Sequence, residues 1–258
     1  MSTVEVIRHA SASDLAEDTA ARLITTVVER QASAARASIC LTGGRIGTAV
    51  LAAVGASPAR DGIDWAAVDI WWGDERYLPT GDPERNETGA RAVLLDRVGI
   101  PADRVHAMPD PAASGGDVDE AARQYANALA AASRPEDHAG VPSFDVLMLG
   151  IGPDGHVASL FPEMPALHAE GWCTAVRGAP KPPPVRLSLT FPAIQAAAEV
   201  WVLAAGAEKA AAVRMALSAE AGPFQVPAAG AVGRDRTLFL VDEPAASKLP
   251  KDLGRPPA

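Results

Sequence analysis

The chain has 258 residues, of which 48 % are apolar and 21 % charged, and a net charge of −9. That balance excludes a disordered chain and suits one large or two small globular domains. An acidic chain without a Lys/Arg run excludes a groove that tracks nucleic acid, and no apolar run reaches the ~18 residues of a membrane span.

In chain order, residues 14–36 read as an amphipathic helix, with Leu15, Leu23, Ile24, Val27 and Val28 recurring near 3.6 spacing. Asp14 with Glu17 three residues on resembles a capping box. Residues 38–42 form a short β-rich run that meets Gly43-Gly44 and then a helix over 46–54. A second strand, 68–72, ends at Gly73-Asp74-Glu75-Arg76, and helices follow over 86–98 and 117–132. Residues 144–149 are an unbroken apolar strand, as expected where both sheet faces are covered. Further strands fall at 186–190, 200–204 and 237–241, with a helix over 207–217. Strands alternating with helices predict an α/β fold: a mostly parallel sheet with helices on both faces, a Rossmann-like three-layer sandwich. No linker divides the chain, so 1–258 reads as a single domain, with a poorly ordered tail from about residue 243. A ligand is expected beyond the carboxyl ends of the strands.

Three strand ends carry chemistry. After the first, Thr42-Gly43-Gly44-Arg45 opens a helix, whose unpaired N–H groups and positive dipole end suit an anion. The Gly-Lys-Ser/Thr of a Walker A loop is missing. After the second, Asp74, Glu75 and Arg76 gather charge at an apolar strand's end. Arg76 offers a planar fork for an oxyanion or phosphate, while Asp74 or Glu75 suits orienting an Arg or accepting a proton. After the third, Gly150-Ile-Gly-Pro-Asp-Gly-His156 contains the dinucleotide pattern GxGxxG. Pro162 stops the next segment too soon for a crossover helix, and Asp154 sets a carboxylate where a pyrophosphate would lie. The better reading is a rigid glycine turn presenting Asp154 and His156, histidine being suited to proton transfer near neutral pH. His9, His106, His138 and His168 lack metal-ligand spacing and read as surface residues. Arg186, after Lys181-Pro-Pro-Pro184, and Lys209, after Gly206, would complete an anion pocket if both reach the sheet edge that holds Gly43-Gly44. Cys40 and Cys173, with no CxxC pair, fit free thiols in a reducing compartment, and no secretory leader pattern is seen. A cytoplasmic location is expected.

Together these segments resemble the 6-phosphogluconolactonases, in the superfamily shared with glucosamine-6-phosphate deaminases. The specific parts are Trp72-Gly-Asp-Glu-Arg76, Glu84-Arg-Asn86, the Gly150–His156 turn with Ser159-Leu-Phe-Pro162, Lys181-Pro-Pro-Pro184 with Arg186, and Gly206 with Lys209. The resemblance implies hydrolysis of 6-phospho-D-glucono-1,5-lactone to 6-phospho-D-gluconate in the pentose phosphate pathway, without metal or cofactor. It implies that Thr42, Gly43 and Gly44 hold the phosphate with Arg186 and Lys209. His156 would be the general base, and Asp74, Arg76 and Asp154 would line the sugar end. Where the family often has Ser-Thr-Pro after its glycines, this chain has Arg45-Ile46-Gly47; Arg45 is counted with the substrate-binding set. The expected partner is a small phosphorylated sugar lactone, and the expected state a monomer or weak homo-oligomer. Two alternatives stand beside the lactonase: an amino-sugar phosphate isomerase/deaminase, against which Arg76 argues, and a sugar-phosphate-binding regulator, against which the intact Asp-Gly-His turn argues.

Overall fold

The computed structural model describes residues 3–135, 137, 139–218, 221–251 and 253. His138, read as a surface residue, lies outside the described residues.

The chain opens with β1 (Thr3–His9), a strand that the sequence pattern does not announce. Helix α1 (Ala12–Ser33) follows, and its cap is Ser11, not Asp14. Ser11 is extended, accepts the Asp14 N–H at 3.2 Å and donates to the Asp14 carboxylate at 2.7 Å. The capping box is therefore Ser11 with Asp14, one turn earlier than expected, because a hydroxyl satisfies the orphan donor there. Leu15, Leu23, Ile24 and Val27 are buried as the spacing predicts, while Val28 is exposed.

β2 (Ala37–Leu41) is buried throughout and runs through Thr42 and Gly43 into α2 (Gly44–Ala56). β3 (Val68–Trp72) passes into a short β4 (Asp74–Arg76), then α3 (Asn86–Val93) and α4 (Val118–Ala132). Next come β5 (Val146–Gly150), β6 (Cys173–Val176), β7 (Arg186–Leu189) and α5 (Phe191–Gln195). β8 (Glu199–Ala204), α6 (Ala210–Ala216) and β9 (Arg236–Asp242) complete the elements.

The main sheet has the order β1-β9-β8-β5-β2-β3, and every neighbouring pair is parallel. The mostly parallel α/β architecture is therefore observed. A second, antiparallel sheet, β4-β7-β6, takes in the Arg186 strand. The hinge between the sheets is Gly73, whose N–H bonds Leu41 O at 3.0 Å and whose carbonyl accepts from Leu189 N at 2.8 Å.

From β2 the chain proceeds outward to β3, then returns to the other side of β2 for β5. Such a reversal opens a crevice at the carboxyl ends of the two strands. Here the Gly150 N–H spans it to Thr42 Oγ1 at 3.1 Å.

Two expectations are corrected. Within the described part of the tail, residues 243–251 are packed: Ala245 and Ala246 are fully buried, and the Asp242 carboxylate accepts the Ala245 N–H at 2.8 Å. Arg8 donates to the carbonyls of Pro250 and Leu253 at 2.6 and 2.7 Å. Small side chains and backbone bonds hold this segment, so it carries no apolar periodicity. Nor are all the histidines superficial. His9 is buried and meets Asp18 at 3.0 Å, and His106 stacks on Trp71 with ring centroids 3.9 Å apart. Cys40 and Cys173 are free thiols, and burial pushes both upward in pKa.

Candidate active site

A cavity of about 870 Å³ occupies the carboxyl edge of the main sheet. One wall is the start of α2. Gly43 caps this helix without a side-chain bond, so the first N–H groups stay open toward the cavity. Gly44 lies at φ +76°, a conformation that favours glycine. Thr42, Gly43, Gly44 and Arg45 all line the space, as do Lys181, Arg186 and Lys209. The expected convergence of Arg186 and Lys209 on the glycine loop is thus present.

The basic groups are held differently. Arg186 is buried and anchored by the carbonyls of Lys181, Pro182 and Pro183 at 2.8–3.3 Å, with its guanidinium carbon 5.7 Å from the Phe161 ring centre. Burial lowers its pKa. Burial also pulls the Lys209 ammonium down, and the Lys181 charge adds to the effect. Arg45 is 93 % exposed in its side chain and pairs with Glu208 at 3.2 Å across the rim.

The opposite wall is the turn after β5. His156 Nδ1 lies 2.6 Å from Asp154 Oδ1. Burial works to raise the Asp154 carboxyl, but the hydrogen bond and charge of His156 prevail and hold it at about 2. An ionised Asp154 requires the proton on Nδ1, a tautomer assigned from the hydrogen bond, which leaves Nε2 with its lone pair. The glycines have a steric cause. A Cβ on Gly152 would stand 2.0 Å from His156 Nδ1 and 2.2 Å from Asp154 Oδ1, and Gly155 has φ +86°. Among the described residues no α-helix follows this turn before β6, so a dinucleotide would find no helix N-terminus here.

The third group comes from β4. Asp74 is buried, lines the cavity, and accepts the Ser159 hydroxyl at 2.7 Å. Arg76 Nη1 donates to Glu84 O at 2.6 Å and Asn86 Oδ1 at 2.8 Å. Glu75 turns the other way and accepts the N–H groups of Arg76, Asn86 and Glu87 at 2.7–2.9 Å. Of the two acids left open by the sequence, Asp74 therefore faces the site and Glu75 clamps the backbone. Burial pushes the Glu75 carboxyl up to about 7 against those donors and Arg85.

Nine of the ten residues singled out from sequence line the cavity, and the tenth, Asp154, bonds His156. Sequence reasoning missed Lys181, Asn86 and Ser159 as site residues. Each stood inside a quoted motif, but only the packing brings Lys181 and Asn86 to the cavity and sets the buried Ser159 hydroxyl against Asp74. Among the described residues no three His, Cys, Asp or Glu side chains gather as a metal-binding group, and no helix is long and apolar enough to cross a membrane.

An anion cradle facing a histidine–aspartate pair across a parallel-sheet crevice defines a class: α/β proteins that process small phosphorylated metabolites. The model for the family of glucosamine-6-phosphate isomerases/6-phosphogluconolactonase matches residues 10–240, and the chain belongs to that family. A 6-phosphogluconolactonase of Streptomyces coelicolor is 59 % identical over 261 residues, which cover 99 % of this chain and 98 % of the relative. One from Mycobacterium tuberculosis is 49 % identical over 234 residues, 89 % and 92 % of the two chains. Among solved structures, 6-phosphogluconolactonase from Trypanosoma brucei superposes with a TM-score of 0.80 at 27 % identity, covering 97 % of this chain and 100 % of that one. A monomeric glucosamine-6-phosphate deaminase shares the fold, with a TM-score of 0.77 at 18 % identity.

Proposed function

We propose that this chain hydrolyses 6-phospho-D-glucono-1,5-lactone to 6-phospho-D-gluconate, a step of the pentose phosphate pathway. The observation that carries the reading is the His156–Asp154 pair at 2.6 Å, opposite the open N-terminus of α2 in one cavity. The substrate phosphate lies on Gly43 and Gly44 with Thr42, Lys209, Arg186 and Arg45. The lactone ring reaches toward Asp74, Arg76 and His156.

His156 Nε2 takes a proton from water as the water oxygen adds to the lactone carbonyl carbon. Charge develops on the carbonyl oxygen, where Arg76 or a backbone N–H stabilises it. The carbon–ring-oxygen bond then breaks, and the imidazolium returns the proton to the departing ring oxygen. Asp154, kept ionised, holds the ring orientation and tautomer and favours the transient imidazolium. The step requires no metal, cofactor or covalent nucleophile. Arg76 at the cavity wall supports the lactonase over the deaminase reading, since the resemblance implies an aromatic residue after Asp-Glu in the deaminases. The reading includes a monomer or weak homo-oligomer working in the cytoplasm.

The test is product formation from freshly generated lactone, at mildly acidic pH and with a chelator, followed by a coupled dehydrogenase. A rate above the spontaneous one that survives the chelator is expected. A rate equal to the blank, with ammonia released from glucosamine 6-phosphate, overturns the reading.

A further inference from the structure

Asn86 opens α3 and belongs to the Glu84-Arg-Asn86 motif, to which the reaction assigns no part. It is 8 % exposed and lines the cavity. Its amide Nδ2 donates to the Asp74 carbonyl at 2.9 Å and lies 3.4 Å from Asp74 Oδ1. Its Oδ1 accepts from Arg76 Nη1 at 2.8 Å. Only this amide orientation works: the reverse would set an NH₂ against the guanidinium and an oxygen against two oxygens of Asp74. Its main-chain N–H is fixed by Glu75 at 2.7 Å. On the third side, a Cβ on Gly43 would stand 1.8 Å from Oδ1. One carboxamide thus touches the anion cradle, the acid and the guanidinium at once.

We infer that Asn86, braced on the Asp74 carbonyl, is a positioning residue that holds Arg76 at a set distance from the Gly43 end of α2. This deepens the lactonase reading and rests on it. Arg76 needs such a hold. Its side-chain bonds run through Nη1, to Glu84 O and Asn86, and its Nε is buried without a hydrogen-bond partner. Losing the amide leaves the guanidinium on one carbonyl and free to swing from the carbonyl oxygen it serves. A substrate gripped at its phosphate would then meet a misplaced charge at its reacting end, and a small misplacement there is costly in rate. The same contact accounts for Gly43: the side chain that fixes Arg76 fills the space a Cβ would take.

The experiment is a cycle of Asn86→Ala, Arg76→Ala and the double variant, with kcat and KM measured separately. Asn86→Ala should lower kcat about 10–10²-fold, as loss of an orienting partner does elsewhere, with KM changed no more than about threefold. The double variant should be no slower than Arg76→Ala alone, since Asn86 acts through Arg76. Independent, multiplying losses would overturn the inference, as would wild-type kcat in Asn86→Ala. Gly43→Ala supplies a second readout: it should abolish activity in the wild-type background and regain at least tenfold when combined with Asn86→Ala. If Asn86→Ala does not fold, the isosteric Asn86→Asp replaces it. It keeps the acceptor for Arg76 but sets two carboxylates together, and should lose kcat with a steeper loss as pH rises through the carboxylate range. A flat profile there overturns the inference. Failure of the lactonase reading is separately visible, because the unmodified protein would then not turn over the lactone.

Discussion

Two carboxylates beside the same cavity meet opposite fates. Asp154 is held at about 2, whereas Glu75 is pushed up to about 7. Burial raises both. Asp154 has a histidine in direct contact at 2.6 Å and is only partly covered. Glu75 is almost wholly enclosed, and its cation, Arg85, stands 3.9 Å away and also serves Glu87. Three backbone N–H groups stabilise its charge but do not outweigh the lost solvent. The direct bond to His156 holds Asp154 on the ionised side, whereas near-complete burial outweighs the neutral donors around Glu75. One acid thus remains a fixed charge behind a proton-transfer group, and the other a backbone clamp.

The largest test of this contrast removes the contacting histidine. His156→Ala should lower turnover by roughly 10²–10⁴-fold while binding of 6-phosphogluconate, measured by calorimetry, persists. In the same variant the Asp154 carboxyl, left with burial and backbone donors only, should titrate above its present value by NMR. Retained turnover would remove His156 as the base. Next in size, Asp154→Asn keeps the shape and deletes the charge, and should cost about 10–10²-fold in kcat, with a shifted acid limb in the pH–rate profile. An unchanged kcat would make Asp154 a structural turn residue.

A third variant extends the rule from acids to cations. Burial lowers Lys209 as it raises Glu75, so its charge is the more exposed to competition by desolvation. Lys209→Ala should raise KM about tenfold, the value of roughly one charged hydrogen bond, with kcat nearly kept. A kcat loss at constant KM would contradict a phosphate role.

The smallest effect is on stability. Glu75 has a folded pKa above its ordinary value of 4.5, so the folded state binds the extra proton between about 4.5 and 7. Stability therefore falls as pH rises through that window. Asp154 has the opposite sign: its contribution is present above 3.8 and is lost as pH falls toward about 2. Melting temperatures followed from pH 4.5 to 7 should decline less steeply in Glu75→Gln than in the unmodified protein. Parallel curves would show that Glu75 does not titrate there.

What the sequence by itself determined about this protein is what neighbours along the chain can encode. β3 falls on residues 68–72 as read, the glycine loop stands between β2 and α2, and His156 lies two residues from Asp154 in a glycine turn. These rest on local causes: β-rich runs, an open helix start, and glycines where a Cβ would strike His156. Tertiary structure alone decided the rest. β1 became an edge strand only because β9, over two hundred residues on, pairs with it. β4 and β7 joined in a second sheet through Gly73, which a period-2 pattern cannot distinguish from the parallel one. Asn86 reached Gly43 and Arg76, and Lys181 reached the rim near Lys209, across gaps in sequence that no spacing reports. Side-chain periodicity records which face of an element is buried. Which elements then meet is set by sheet order and by close approach of backbones, where small residues such as Gly43 and Ala245 leave little pattern behind.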